Sequence, residues 1–168
     1  MERPKILTAI PTFNAAHFLP ATLECLAAQT RRPGRIVVID NGSTDATEQI
    51  VRGHPALRIE FRRNEENVGV LGNLNRCLAL AAEADYLHLL MADDLIRPTF
   101  FERCVPELEG LDREGFSYVL DEKVNQHGRV VMPALQRTGS RARVVGAGEF
   151  LRRQATLDTI LLPGVVFR

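Results

Sequence analysis

The 168 residues carry 21 Lys and Arg against 21 Asp and Glu, so the net charge is zero, with 45% hydrophobic and 25% charged residues. A chain of this length builds one full core and is too short for two independent ones, and its composition has no disordered or fibrous bias. The charge balance excludes the basic footprint of a general nucleic-acid binder and favours a small-molecule ligand.

The start MERPKILTAIPTF has no apolar run followed by a small-residue cleavage site, and no stretch approaches the roughly twenty apolar residues of a membrane span. The expectation is a cytoplasmic chain, with a peripheral position at the inner face of a membrane left open. Residues 6–10 form an apolar run closed by Pro11, which reads as a buried strand. Residues 16–29 place Phe18, Leu19, Leu23, Leu26 and Ala27 on one helical stripe, with Asn14 positioned as a cap. A β-branched strand over 35–40 follows, then a helix over 45–52 that Ser43 or Thr44 can cap. Residues 57–61 alternate apolar and charged, as in a strand nearer a sheet edge.

A helix over 70–82 carries Leu71, Leu74, Leu78 and Ala81, and a central strand spans 86–91. Pro98 falls in the first turn of a helix running to about Val105. Beyond Glu107 the pattern weakens: 115–120 and 129–132 suggest strands, 147–154 a short helix, and 165–167 the beginning of another strand.

Strand–helix alternation of this kind implies parallel strands, right-handed crossovers and helices on both faces, which is a doubly wound α/β sheet. Ligands in such sheets bind at the carboxyl edge of the strands. Three polar clusters should emerge there: Pro11-Thr12-Phe13-Asn14, Asp40-Asn41-Gly42-Ser43 and Met91-Ala92-Asp93-Asp94.

Asn41 to Thr44 are turn formers and helix caps whose ordinary task is to satisfy local backbone groups. Asp40, at a strand's carboxyl end, is expected to face the crevice and accept hydrogen bonds from a base or a ribose. In LLMADDL an apolar strand delivers Asp93 and Asp94 to the same edge. A hard divalent cation, Mg²⁺ or Mn²⁺, would neutralise their repulsion while keeping sites for substrate phosphates, and this reading stands slightly ahead of helix capping.

Neither G-x-x-x-x-G-K-[ST] nor G-x-G-x-x-G nor G-x-S-x-G occurs, which argues against a P-loop, a dinucleotide site and a nucleophile elbow. The four histidines lack ligand spacing, and His88 reads as a hydrogen-bonded core residue. Cys25, Cys77 and Cys104 read as buried free thiols.

AIPTFNAAHFLPATLECLAAQT, IVVIDNGSTDAT, NEENVGVLGNLNRCLALA and DYLHLLMADDLIRP, in this order, resemble four motifs of family 2 glycosyltransferases with the GT-A fold, the last two being an N-x-G segment and the D-x-D region. The resemblance implies a Rossmann-like nucleotide-binding half over 1–107 and the start of an acceptor half over 108–168, within a single GT-A domain. It implies a nucleoside-diphosphate sugar donor, UDP being the commonest, with dTDP and GDP also compatible. Pro11, Thr12 and Asp40 would surround the base and ribose, with Asn14 and Ala92 at the same edge, and Asp93 would meet the metal and diphosphate. Met91 stands where many members carry the earlier Asp of D-x-D, leaving its contact absent or supplied by Asp94.

Asn73 and Asn75 match positions where relatives often place an Arg-Asn or Asn-x-Asn pair facing the crevice, and packing or helix-surface solvation are alternatives for both. The Pro163 to Arg168 segment resembles one that in relatives precedes an acidic motif holding the catalytic base. The chain is therefore expected to be a truncated enzyme that binds donor but transfers poorly, inverting the sugar when complete. The acceptor would be a saccharide, lipid-linked or protein hydroxyl, and apolar surface left by truncation could support a homodimer. The rival from another class is a nucleotide-binding or interaction module without catalysis.

Overall fold

A computed structural model describes residues 6–110, 115–118, 123–125, 129–132 and 165–168. The first five elements are β1 (Ile6–Thr12), α1 (Leu19–Ala27), β2 (Arg35–Asp40), α2 (Thr47–Arg52) and β3 (Glu60–Arg63). Then follow α3 (Gly69–Leu78), β4 (Tyr86–Leu89), α4 (Phe100–Glu109), β5 (Phe116–Tyr118), β6 (Lys123–Val124), β7 (Val130–Met132) and β8 (Val165–Phe167). The six-stranded sheet has the order β3-β2-β1-β4-β8-β5, and β6 and β7 pair separately. β3, β2, β1 and β4 run parallel, whereas β8 is antiparallel to both β4 and β5.

All seven residues of β1 are buried, because helices cover both faces of the sheet. Ile6, Ile10, Ile36 and Val38 point to one face, where α1, α2 and α4 contribute Leu19, Leu23, Leu26, Val51, Phe101 and Leu108. Leu7, Ala9, Val37 and Ile39 point to the other, against Cys77 of α3 and Leu80. The period of two along the strands thus divides one apolar run between two cores.

Several element boundaries differ from the sequence expectation. Asn14 does not cap α1: its φ is 48°, and the helix begins at Leu19 with Pro20 in its first turn. Neither Ser43 nor Thr44 caps α2, whose entry is organised by Asp45; the Asp45 carboxylate accepts from the Thr47 backbone N–H at 3.0 Å. The third strand lies later than expected, because Pro55–Leu57 forms a 3-10 turn. The helix after it ends at Leu78 and tightens into a 3-10 turn over Ala79–Glu83.

β4 ends at Leu89, two residues early, and Pro98 precedes α4 rather than lying within it. That helix continues through Pro106 to Glu109. Proline removes one intrahelical hydrogen bond there, and the buried side chains of Cys104, Val105 and Leu108 offset the loss. Cys77 and Cys104 are buried and Cys25 is half-buried, all three as free thiols. His88 is fully buried, with Nδ1 3.4 Å from the Thr8 hydroxyl and its ring against Phe100 and Phe101. The expected helix over 147–154 lies outside the described residues.

Candidate functional site

Sheet order locates the crevice. From β1 the chain winds outward through β2 to β3, then crosses back to place β4 on the other side of β1. Connections leaving β1 and β4 therefore diverge, and a parallel sheet opens a crevice at that point. Thr12 pairs with Asp40 and Ala9 with Leu89, so the exits of β1, β2 and β4 share one edge. Asp40 and the β4 exit are two strand spacings apart, about 10 Å.

The β2 exit is closed upon itself. Asp40 is fully buried, and its carboxylate accepts from the Ser43 backbone N–H at 3.1 Å, from the Ser43 hydroxyl and from Arg63 Nε at 2.8 Å. The expectation that Asp40 faces an open crevice is corrected by this geometry. A buried carboxylate needs donors on its lone pairs, and the polar turn that follows it supplies them.

Next to it lies an asparagine network that the sequence reading only partly foresaw. The Asn64 side-chain amide donates to Asn41 at 2.8 Å and to Asn73 at 3.0 Å, and Asn73 donates to the Ile39 carbonyl at 3.0 Å. Asn41 also accepts from the Val68 N–H at 3.0 Å, and Arg76 donates to Asn64 at 2.6 Å. Asn73 is thereby used to fix α3 against β2 and does not face the crevice, whereas Asn75 is exposed on the helix surface. Asn64 was the missed member. Its signal was a polar residue directly after a strand, the same signal that singled out Asp40.

Two loops clasp each other. The Asn14 N–H donates to the Ser43 hydroxyl at 2.8 Å, the Ala15 N–H to the Thr47 hydroxyl at 3.0 Å and the Ala16 N–H to Asp45 at 2.9 Å. In return the Thr44 N–H donates to Asn14 Oδ1 at 2.9 Å. Asparagine tolerates the left-handed backbone this clasp demands. For Asp45 desolvation works upward, but donors from Thr47 and Ala16 outweigh it and hold the carboxyl below its ordinary 3.8.

Pro11 and Thr12 are buried at the end of β1, and the next residue, Phe13, presents half of its surface to solvent. The β4 exit is open by contrast. The Ala92 carbonyl accepts from the Thr22 hydroxyl at 2.9 Å, which fastens the turn to α1. Asp93 is exposed and has no side-chain partner among the described residues, and Asp94 is half-buried in the turn that its N–H closes on the Met91 carbonyl at 3.2 Å. Among the described residues no three His, Cys, Asp or Glu groups gather as a metal cage. The donor set is two adjacent carboxylates, hard oxygen ligands that suit Mg²⁺ or Mn²⁺ when phosphate oxygens and water complete the shell.

The family model described as glycosyl transferase family 2 matches residues 8–144. A PGL/p-HBAD biosynthesis glycosyltransferase of Mycobacterium bovis (strain BCG / Pasteur 1173P2) is 38% identical over 97 residues, covering 56% of this chain and 37% of that protein. The structure of S. aureus TarS 1-349 in complex with UDP-GlcNAc aligns with a TM-score of 0.62 and 25% identity, covering 74% of this chain and 36% of that one. Mannosyltransferase PcManGT from Pyrobaculum calidifontis, in complex with GDP-Man and Mn²⁺, aligns with a TM-score of 0.61 and 27% identity, covering 72% and 38%. Alignments with the curated relatives EpsE, a Haemophilus influenzae glycosyltransferase and ExoO span 34–52% of those proteins' lengths.

Proposed function

The chain belongs to glycosyl transferase family 2, and on that premise we propose that it carries the donor site of an enzyme moving a sugar from a nucleoside diphosphate to an acceptor hydroxyl. The observation that carries this reading is the open β4 exit: an exposed Asp93, without a partner among the described residues, at the sheet's switch point alongside the exit of β1. UDP is the first choice of nucleotide, and the UDP-GlcNAc complex of TarS and the GDP-Man complex of PcManGT support the ligand class. Residues 1–107 form the nucleotide-sugar half and 108–168 begin the acceptor half.

Phe13 offers a half-exposed ring on which the base stacks. Pro11 and Thr12 form the floor beneath it. Asn14, Asp40 and Asn73 hold the surrounding loops in place rather than touching the ligand, because their side chains are committed to protein groups. Ala92, tied to Thr22, sets the position of the acidic turn. Asp93, with Asp94 beside it, would hold Mg²⁺ or Mn²⁺, and the Mn²⁺ in the PcManGT complex supports a divalent ion. A bound ion supplies positive charge to the diphosphate, stabilising it as a leaving group.

Attack by the acceptor hydroxyl from the face opposite the diphosphate would invert the anomeric centre, with a carboxylate base taking its proton. Among the described residues no helix is long and apolar enough to cross a membrane, and a cytoplasmic position, peripheral at the inner membrane face, completes the proposal. The acceptor is a saccharide, lipid-linked or protein hydroxyl, and the assembly is a homodimer.

Calorimetric titration with UDP, GDP and dTDP, with and without Mn²⁺, tests the donor site. UDP binding is expected to require the ion and to weaken at least about tenfold in Asp93→Ala, the loss of one charge-assisted contact. Equal binding by variant and parent would remove Asp93 from the site.

A further inference from the structure

The opposite, amino-terminal edge of the sheet holds a second charged feature that sugar transfer does not use. Between the segment entering β2 and the 3-10 turn before β3 lies a cleft of about 170 Å³ lined by Leu26, Arg32, Gly34, Arg35, Leu57 and Arg58, among others. Its floor is apolar, with Leu26 fully buried, and none of the described residues lining it is a carboxylate. Arg35 is already committed, to Glu60 at 2.8 Å and Glu83 at 2.6 Å. Arg32 and Arg58 are exposed and, among the described residues, have no side-chain partner.

Arg58 is unusual on a second, independent count. Its φ is 48°, and apart from Asn14 no other non-glycine residue among those described has a positive value. It closes the 3-10 turn by donating its N–H to the Pro55 carbonyl at 3.2 Å, a position that glycine occupies without strain. Any residue with a backbone N–H makes this bond, and a non-glycine residue makes it at a cost in backbone strain. Arg58 lines both this cleft and a neighbouring one of about 330 Å³ also lined by Arg52, His54 and Phe61. Strain held at an exposed, unpaired charge points to binding rather than to folding.

We propose that Arg32 and Arg58 form an anion site for a phosphate monoester at the amino-terminal edge of the sheet, separate from the nucleotide crevice. Guanidinium groups grip phosphate oxygens in pairs, and a cleft with no carboxylate among its described lining residues leaves that charge uncompensated until an anion arrives. Six residues of β2 separate the two edges, about 20 Å. The site therefore stands or falls independently of the sugar-nucleotide reading. The phosphate could belong to a soluble molecule or to a lipid headgroup.

Amide NMR of the full chain during titration with inorganic phosphate tests this, with Arg58→Gly as the variant. Saturable shifts are expected at Gly34, Leu57 and Arg58. In Arg58→Gly the affinity should fall at least about fivefold, as for a lost charged pair, while the melting temperature in phosphate-free buffer rises by about 2–4 °C as the strain is relieved. UDP titration of the variant should be unchanged.

Co-sedimentation with phosphatidic-acid vesicles against phosphatidylcholine vesicles separates the sources. Pelleting that needs Arg58 identifies a headgroup, whereas shifts with free phosphate but no pelleting identify a soluble monoester. Undiminished binding by Arg58→Gly, shifts confined to residues 12–14 and 91–94, or no response to either probe would overturn the site.

Discussion

The exits of β2 and β4 look alike in sequence, each an apolar strand running into acidic residues, yet they solve opposite problems. At the β2 exit Asp40 is fully buried, saturated by Ser43 and Arg63, and flanked by an asparagine network that binds three elements together. At the β4 exit the backbone is anchored through Ala92, and Asp93 is left to solvent. Polar groups that build a crevice are paired within the protein, and those available to a ligand are not. Substitutions should therefore separate the two exits cleanly, by stability at the first and by binding at the second.

The largest loss of stability is expected for Asp40→Ala, about 3 kcal/mol by urea denaturation, since it strips Arg63 and the Ser43 amide of their acceptor. Asn73→Ala should cost about 2 kcal/mol by the same measurement, leaving the Ile39 carbonyl and Asn64 short of partners. Asn14→Gly should cost about 1 kcal/mol, the hydrogen bond from Thr44 alone, because glycine accepts the left-handed backbone. Asn14→Val adds about 1–2 kcal/mol of strain to that.

The pH dependence is smaller and has a definite sign. Glu60 is held below its ordinary 4.5, first by hydrogen bonds from Arg35 and then from Arg62 against desolvation, and Asp45 is held below 3.8. The unfolded chain takes up these protons first, so their contribution is present above about pH 5 and is lost as pH falls through the lowered folded values. Urea midpoints between pH 6 and pH 3 should decline less steeply in Glu60→Gln than in the parent. Asp93→Ala closes the series, with stability unchanged within about 0.5 kcal/mol despite the loss of nucleotide binding.

Much of this arrangement was legible because it is written locally. Seven-residue and shorter apolar runs, the Asn-Gly-Ser-Thr-Asp turn and the helical leucine stripes are short-range signals, and they located β1, β2 and β4 with their shared carboxyl edge, whereas β3 lies later than its alternating run. What escaped depends on contacts between distant segments. Whether Asp40 faces solvent is decided by Arg63 arriving from β3, and Asn14 turns left-handed because residues 43–47 demand it. The antiparallel insertion of β8 between β4 and β5 pairs residues far apart in the chain, which no local pattern encodes.

Mn²⁺ is paramagnetic and broadens the amide resonances of residues around it, so its position can be read directly on the chain in the presence of UDP. Broadening is predicted at residues 12–14 and 91–95, and it should disappear in Asp93→Ala while the variant remains folded. Broadening centred on any other edge of the sheet, or unchanged in the variant, would contradict the placement of the donor site at the β4 exit.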